Sequence, residues 1–66
     1  MKVHYDEKVD ALYVRLDDSK IIESEEVKED TILDYNSNNQ VVGIEVLNAG
    51  KRIPRLELKK VEFELA

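Results

Sequence analysis

Cysteine and tryptophan are absent from this 66-residue chain, proline and histidine occur once each, and glycine twice. Without cysteine there is no disulfide to brace a small fold and no thiolate zinc site. Gly43 and Gly50 are too few and too far apart for a phosphate-cradling loop. No G-x-S-x-G turn is available to expose a nucleophilic serine. His4 stands without a second imidazole or a thiol at ligand spacing, so it reads as a surface strand residue, and no metal or cofactor is expected. No apolar run approaches the roughly 20 residues of a membrane span. The opening Met1-Lys2-Val3-His4-Tyr5-Asp6 lacks the apolar stretch of a secretory signal. A soluble cytoplasmic protein with no membrane partner is the expectation.

What the chain has in quantity is acid. Its 15 carboxylate side chains outnumber its 10 basic ones, for a net charge of −5. That balance opposes nucleic-acid binding, whose affinity comes mainly from Lys and Arg neutralising phosphates. An apolar content of 42% nevertheless argues for a folded chain, and the length for a single domain over residues 1–66. Size scaling gives such a domain a folded surface of about 4,300 Å² and an unfolded one of about 11,000 Å². Burying the apolar part of the difference stabilises by about 100 kcal/mol, and ordering the chain costs about the same. A lone copy is therefore marginal, and with disulfides excluded, oligomerisation is the remaining common remedy.

Apolar and polar residues alternate over most of the chain, which is the pattern of half-buried strands. Val3 and Tyr5 share one side of a first short strand, and Asp6-Glu7-Lys8 forms a turn. Residues 10–16 form a second strand, with Leu12, Val14 and Leu16 on one face and Ala11, Tyr13 and Arg15 on the other. Ile21 to Lys28 is a third strand, so charged at its centre that it suits a sheet edge. Thr31–Tyr35 and Val41–Leu47 are joined by Asn36-Ser37-Asn38-Asn39, the strongest turn signal present, and read as a hairpin. Gly43 inside the second arm marks a bulge or a close approach by another backbone. Asn48 is placed to cap a single helical turn over residues 49–53, which Pro54 ends. Residues 55–65 read as a last strand on the alternation of Val61, Phe63 and Leu65, with a bulge at Lys59-Lys60. The expected fold is mainly β: a small antiparallel sheet of five or six strands with at most one short helix near residues 48–53. Leu12, Val14, Leu16, Leu33, Val42, Ile44 and Val46 are the expected core.

Taken together, several of these segments resemble the prokaryotic domain-of-unknown-function family 2283. They are Tyr5-Asp6, Asp10-Ala11-Leu12-Tyr13-Val14-Arg15-Leu16, Glu23-Ser24-Glu25-Glu26-Val27, Ile32-Leu33-Asp34-Tyr35, Val42-Gly43-Ile44-Glu45-Val46-Leu47, and Ala49 with Lys51-Arg52-Ile53. The resemblance covers residues 1 to about 53 and departs from the pattern at Gly50, where a helix former is expected. It implies a small, mostly β cytoplasmic domain and supplies no activity.

Tyr5, Asp6, Asp10 and Tyr13 form the most suggestive polar cluster. The two tyrosines would be cross-strand neighbours, and the two carboxylates would flank the first turn and accept its N–H groups. Paired carboxylates perform acid–base chemistry only where burial splits their pKa values, so turn capping is the favoured role. Seven acids between residues 17 and 30 give that stretch a net charge of −5. They lack the glycine and the spacing of a calcium loop. Residues 51–60 carry +4, and Lys51, Arg52 and Arg55 are placed to hold a phosphate or, better for an acidic protein, the acids of another subunit. Phe63 and its apolar neighbours would supply the contact.

Three functional classes follow. The first and favoured is a non-enzymatic module that associates with itself, as a homodimer. The second, drawn from the acidic strand and, through the resemblance, from the company such domains keep with small toxin-like proteins, is an acidic regulator or antitoxin-like partner of a small basic protein. The third is a small hydrolase or ligand-binding enzyme with a site near Asp6 and Asp10.

Overall fold

Side chains two apart point to the same face of an extended chain, and this periodicity is realised in five strands. The computed structural model describes residues 1–66 and contains β1 (Lys2–Asp6), β2 (Ala11–Arg15), β3 (Glu23–Lys28), β4 (Thr31–Tyr35) and β5 (Val41–Val46). They form one wholly antiparallel sheet in the order β1-β2-β5-β4-β3. The fold is mainly β, as the alternation leads one to expect. β5 enters between β2 and β4, so the β1–β2 hairpin and the β3–β4–β5 meander are joined through a strand from the far end of the sequence. The acidic β3 is an edge strand, and β1 is the other edge.

The turns follow from residues that tolerate a left-handed backbone. Asp10, Asp30 and Asn39 have φ of 54°, 62° and 60°, a region in which short polar side chains are enriched. Between β4 and β5, Asn36 Oδ1 accepts hydrogen bonds from the backbone N–H groups of Asn38 and Gln40 at 2.9 and 3.0 Å. This is the hairpin foreseen from the Asn-rich run. The ladder between β4 and β5 slips beside Gly43, where Asp34 pairs with Gly43 but Tyr35 pairs with Val41. Val42 is thus the extra residue of a bulge, and it is fully buried.

Beyond β5 the expectations need correction. Ala49–Lys51 is a 3₁₀ turn, within the span expected to be helical, but Asn48 does not cap it with its side chain. Asn48 sits at φ 51°, and its amide donates to Asp30 instead at 3.2 Å. Residues 55–65 are not a strand. Pro54, at φ −55°, offers its carbonyl to the N–H groups of Glu57 and Leu58 and starts a one-turn helix, α1 (Arg55–Leu58). A proline immediately before the first turn is compatible with helix because its missing N–H has no partner to lose. Residues 59–66 follow without regular structure. No helix is long and apolar enough to cross a membrane.

The core is also smaller than the sequence suggests. Of the seven residues expected inside, only Val42 is buried; Leu16 is exposed and the other five are half-buried. The register shows why. Val3, Val14, Ile44 and Leu33 form one cross-strand row, and Tyr5, Leu12, Val46 and Thr31 form the next. Both rows lie on one face of a single sheet, and only the short segment around Ile53 and Leu58 approaches it, over Val3, Tyr5 and Leu12.

Candidate functional site

Two polar constellations are built on this sheet, and the expected Tyr5–Asp6–Asp10–Tyr13 cluster is divided between them and a turn. In the β1–β2 register Tyr5 faces Leu12 and Tyr13 faces His4. The tyrosines therefore lie on opposite faces and are not cross-strand neighbours. Asp6 accepts the backbone N–H of Lys8 at 2.9 Å, the turn-capping role expected of it. Asp10 does something else. Its Oδ1 accepts the Tyr5 hydroxyl at 2.5 Å and the Gly50 backbone N–H at 2.9 Å, while its carbonyl accepts the N–H of Ala49. Asp10 thus ties the first hairpin to the 3₁₀ turn 40 residues away.

These bonds shift the titrations of both partners. Donation from Tyr5, and then from the Gly50 N–H, holds the Asp10 carboxyl below its ordinary 3.8. The same bond to Asp10 raises the Tyr5 phenol above 10.0. Asp17 is likewise held low by hydrogen bonds from Ser19. The linkage has a definite sign. A carboxyl depressed on folding contributes stability that is present above its unfolded pKa and lost as pH falls through the folded value. A raised phenol contributes stability present below its unfolded pKa and lost as pH climbs through the folded one. Melting temperature is thus expected to be flat between about pH 5 and 9 and to fall at both ends. Asp10→Asn should flatten part of the acid limb. An acid limb unchanged in that variant, followed by circular dichroism, would remove Asp10 from this role.

The second constellation lies on the opposite face and includes residues that the sequence did not single out. Asp34 on β4 is only 8% exposed. Its Oδ1 accepts the Ser24 hydroxyl at 2.6 Å and its Oδ2 the Tyr13 hydroxyl at 3.0 Å. The Arg15 guanidinium reaches the same Tyr13 oxygen at 3.4 Å and is otherwise turned to the carbonyls of Asp17 and Ser19. The network crosses β5 at Gly43, where a β-carbon would stand 2.6 Å from Tyr13 Oη and 2.7 Å from Asp34 Oδ2. Gly43 is required because two side chains occupy the space above it. The isolated glycine within a strand pattern was the signal; its partners come from strands that are not neighbours in sequence.

The basic residues are dispersed. Arg52 donates to Thr31 Oγ1 at 3.3 Å, Arg55 lines a recess with Tyr5, Gly50 and Lys59, and Lys51 is exposed. None of the three pairs with a carboxylate; the single ion pair is Lys60–Glu62, at 2.9 Å. No group of three or more His, Asp or Glu side chains converges as a metal site would need. Phe63 is exposed, as are Val61 and Leu65.

The sheet thus carries one hydrogen-bonded polar face and one apolar face whose apolar side chains, Val3 excepted, are half-buried. The model of the family described as protein of unknown function (DUF2283) matches residues 2–49, and the chain belongs to that family. Neither the curated proteins nor the solved structures contain a match to it.

Proposed function

We propose that the chain is a cytoplasmic protein-interaction module without chemistry of its own, which works by assembling with a second copy through the apolar face of its sheet. The supporting observation is the surface area. The chain exposes 5414 Å², whereas a folded protein of its mass exposes about 4,300 Å². The excess, roughly 1,100 Å², is close to the ~800 Å² that each partner contributes to a standard interface. The apolar rows through Ile44 and Val46 are where an excess of that kind is most readily removed, because face-to-face packing of two sheets covers both at once.

Sedimentation equilibrium tests the proposal. At tens of micromolar the expected mass is twice 7.7 kDa, with little dependence on salt, since exposed ion pairs contribute only ~0–1 kcal/mol each. A well-folded species of single-chain mass would overturn it.

A further inference from the structure

Residues 61–66 neither donate nor accept any of the backbone–backbone hydrogen bonds between segments, and they lie in no helix or strand. Yet they carry the clearest alternation in the chain: Val61, Phe63 and Leu65 against Glu62 and Glu64. The three apolar side chains are 69%, 73% and 85% exposed. A strand-like segment with a free backbone and bare apolar side chains is half of a β-pairing.

The sheet has two free edges, and charge distinguishes them. On β3, Glu23, Glu25 and, past the bulge, Lys28 lie on the apolar face, and Ser24 and Glu26 lie on the other, so three of the four residues that a tail centred on the strand would face most closely, Glu23, Glu25 and Glu26, are acids. There the acids of the tail would meet like charge and its apolar residues would meet carboxylates. Like charges directly opposite each other destabilise a strand pair. On β1, Val3 and Tyr5 share the apolar face and Lys2, His4 and Asp6 the other. One antiparallel register matches every position. Lys60 falls opposite Asp6, Val61 opposite Tyr5, Glu62 opposite His4, Phe63 opposite Val3, and Glu64 opposite Lys2. The parallel alternative with Glu62 beside His4 sets Lys60 against Lys2 and Glu64 against Asp6.

We propose that residues 61–65 of one copy add to the free edge of β1 of a second copy as an antiparallel sixth strand, in the register that sets Phe63 opposite Val3 and Glu62 and Glu64 opposite His4 and Lys2. The second copy is the occupant because the tail leaves its own sheet. Val61 and Glu62 pass beside Val3, Tyr5 and Leu12, but Phe63 and Leu65 extend into solvent. The radius of gyration is 12.6 Å, against about 10.8 Å for a compact chain of this length. A twofold axis makes the exchange reciprocal, and main-chain hydrogen bonds with alternate side-chain contacts are the usual basis of strand addition. The inference rests on self-association as proposed above and adds the element that performs it.

The chain has no native thiol, so engineered ones report pairing cleanly. Facing residues of antiparallel strands lie about 4.5–5.5 Å apart at Cα, within disulfide reach. Full-length chains carrying His4→Cys and Glu62→Cys, both exposed positions, are mixed in equal amounts and mildly oxidised, and the unmodified chain is sedimented alongside. The expected product is the mixed disulfide, in about tenfold excess over either symmetric one. A statistical mixture of the three products, or no cross-link, from a chain that sediments as a dimer overturns strand addition and leaves the packing of apolar faces standing. A single-chain mass overturns both. A chain carrying both cysteines that closes on itself at high dilution overturns exchange between copies.

Discussion

Gly43→Ala is expected to lower the melting temperature by about 5–15 °C, although alanine suits a strand better than glycine does. Two effects compete. Replacing a glycine within a strand gains roughly 0.5–1 kcal/mol by restricting the unfolded chain, and φ at Gly43 is not positive, so nothing in the backbone forbids the change. Against this, the new methyl would lie 2.6 Å from Tyr13 Oη and 2.7 Å from Asp34 Oδ2. Those atoms must separate, and the buried Asp34 carboxylate then keeps only Ser24 as a donor. Leaving such a group short of a partner costs about 1–3 kcal/mol, and in a domain of this size each kcal/mol is worth about 4–8 °C. Loss should therefore exceed gain. The proof is a double-mutant cycle with Tyr13→Phe, which removes the hydroxyl above Gly43. If the clash with the hydroxyl is the main cause, Gly43→Ala should cost markedly less in that background; equal costs in both backgrounds would show that the Tyr13 hydroxyl is not what excludes a side chain at position 43 and would leave Asp34 Oδ2, 2.7 Å away, as the obstacle.

The same glycine shows how much of the molecule was legible in its sequence. Strands declare themselves by alternation, a local property, and β1 to β5 lie close to where the pattern puts them. The Asn36–Asn39 turn is equally local, since one side chain holds the whole reversal. Long-range properties were hidden. Asp34 meets Tyr13 only because β5 enters between β2 and β4, so the network on the polar face is a consequence of topology. The pairing of Tyr5 with Asp10 was obscured for the same reason, because Gly50 completes the site from far along the chain. Alternation misled once, at residues 55–65. Apolar and polar residues do alternate there, but Pro54 starts a helical turn over Arg55-Leu56-Glu57-Leu58, and residues 59–66 pair with no strand of their own sheet. The core was overcounted because alternation marks an apolar face without saying how much of it a second layer covers, and here only the short segment around Ile53 and Leu58 lies over it.

Ile44→Asp should abolish self-association outright, and its effect should be the largest of any single change on the sheet. Ile44 is on the central strand of the five, between Val14 on β2 and Leu33 on β4. A twofold contact through this face brings Ile44 in twice, so the substitution buries two unpaired carboxylates, each costing several kcal/mol in an apolar setting. Loss of about 4 kcal/mol is a thousandfold in dissociation constant, enough to carry a micromolar dimer to single chains at any practical concentration. A monomer that is itself marginal will also lose stability, so the decisive comparison is with Ile32→Asp. Ile32 is the same residue type, equally half-buried, and pairs with Glu45 on the opposite, polar face. Removing it costs comparable intramolecular packing and leaves the proposed interface intact. Sedimentation should find Ile44→Asp at single-chain mass and Ile32→Asp still paired. Ile44→Ala, which keeps the face apolar, should lie between them, with a dissociation constant raised about 10- to 100-fold by a truncation worth 1.5–3 kcal/mol. Should Ile32→Asp dissociate and Ile44→Asp remain paired, the copies meet through the polar face, and the apolar rows must be covered by something other than a second copy of this chain.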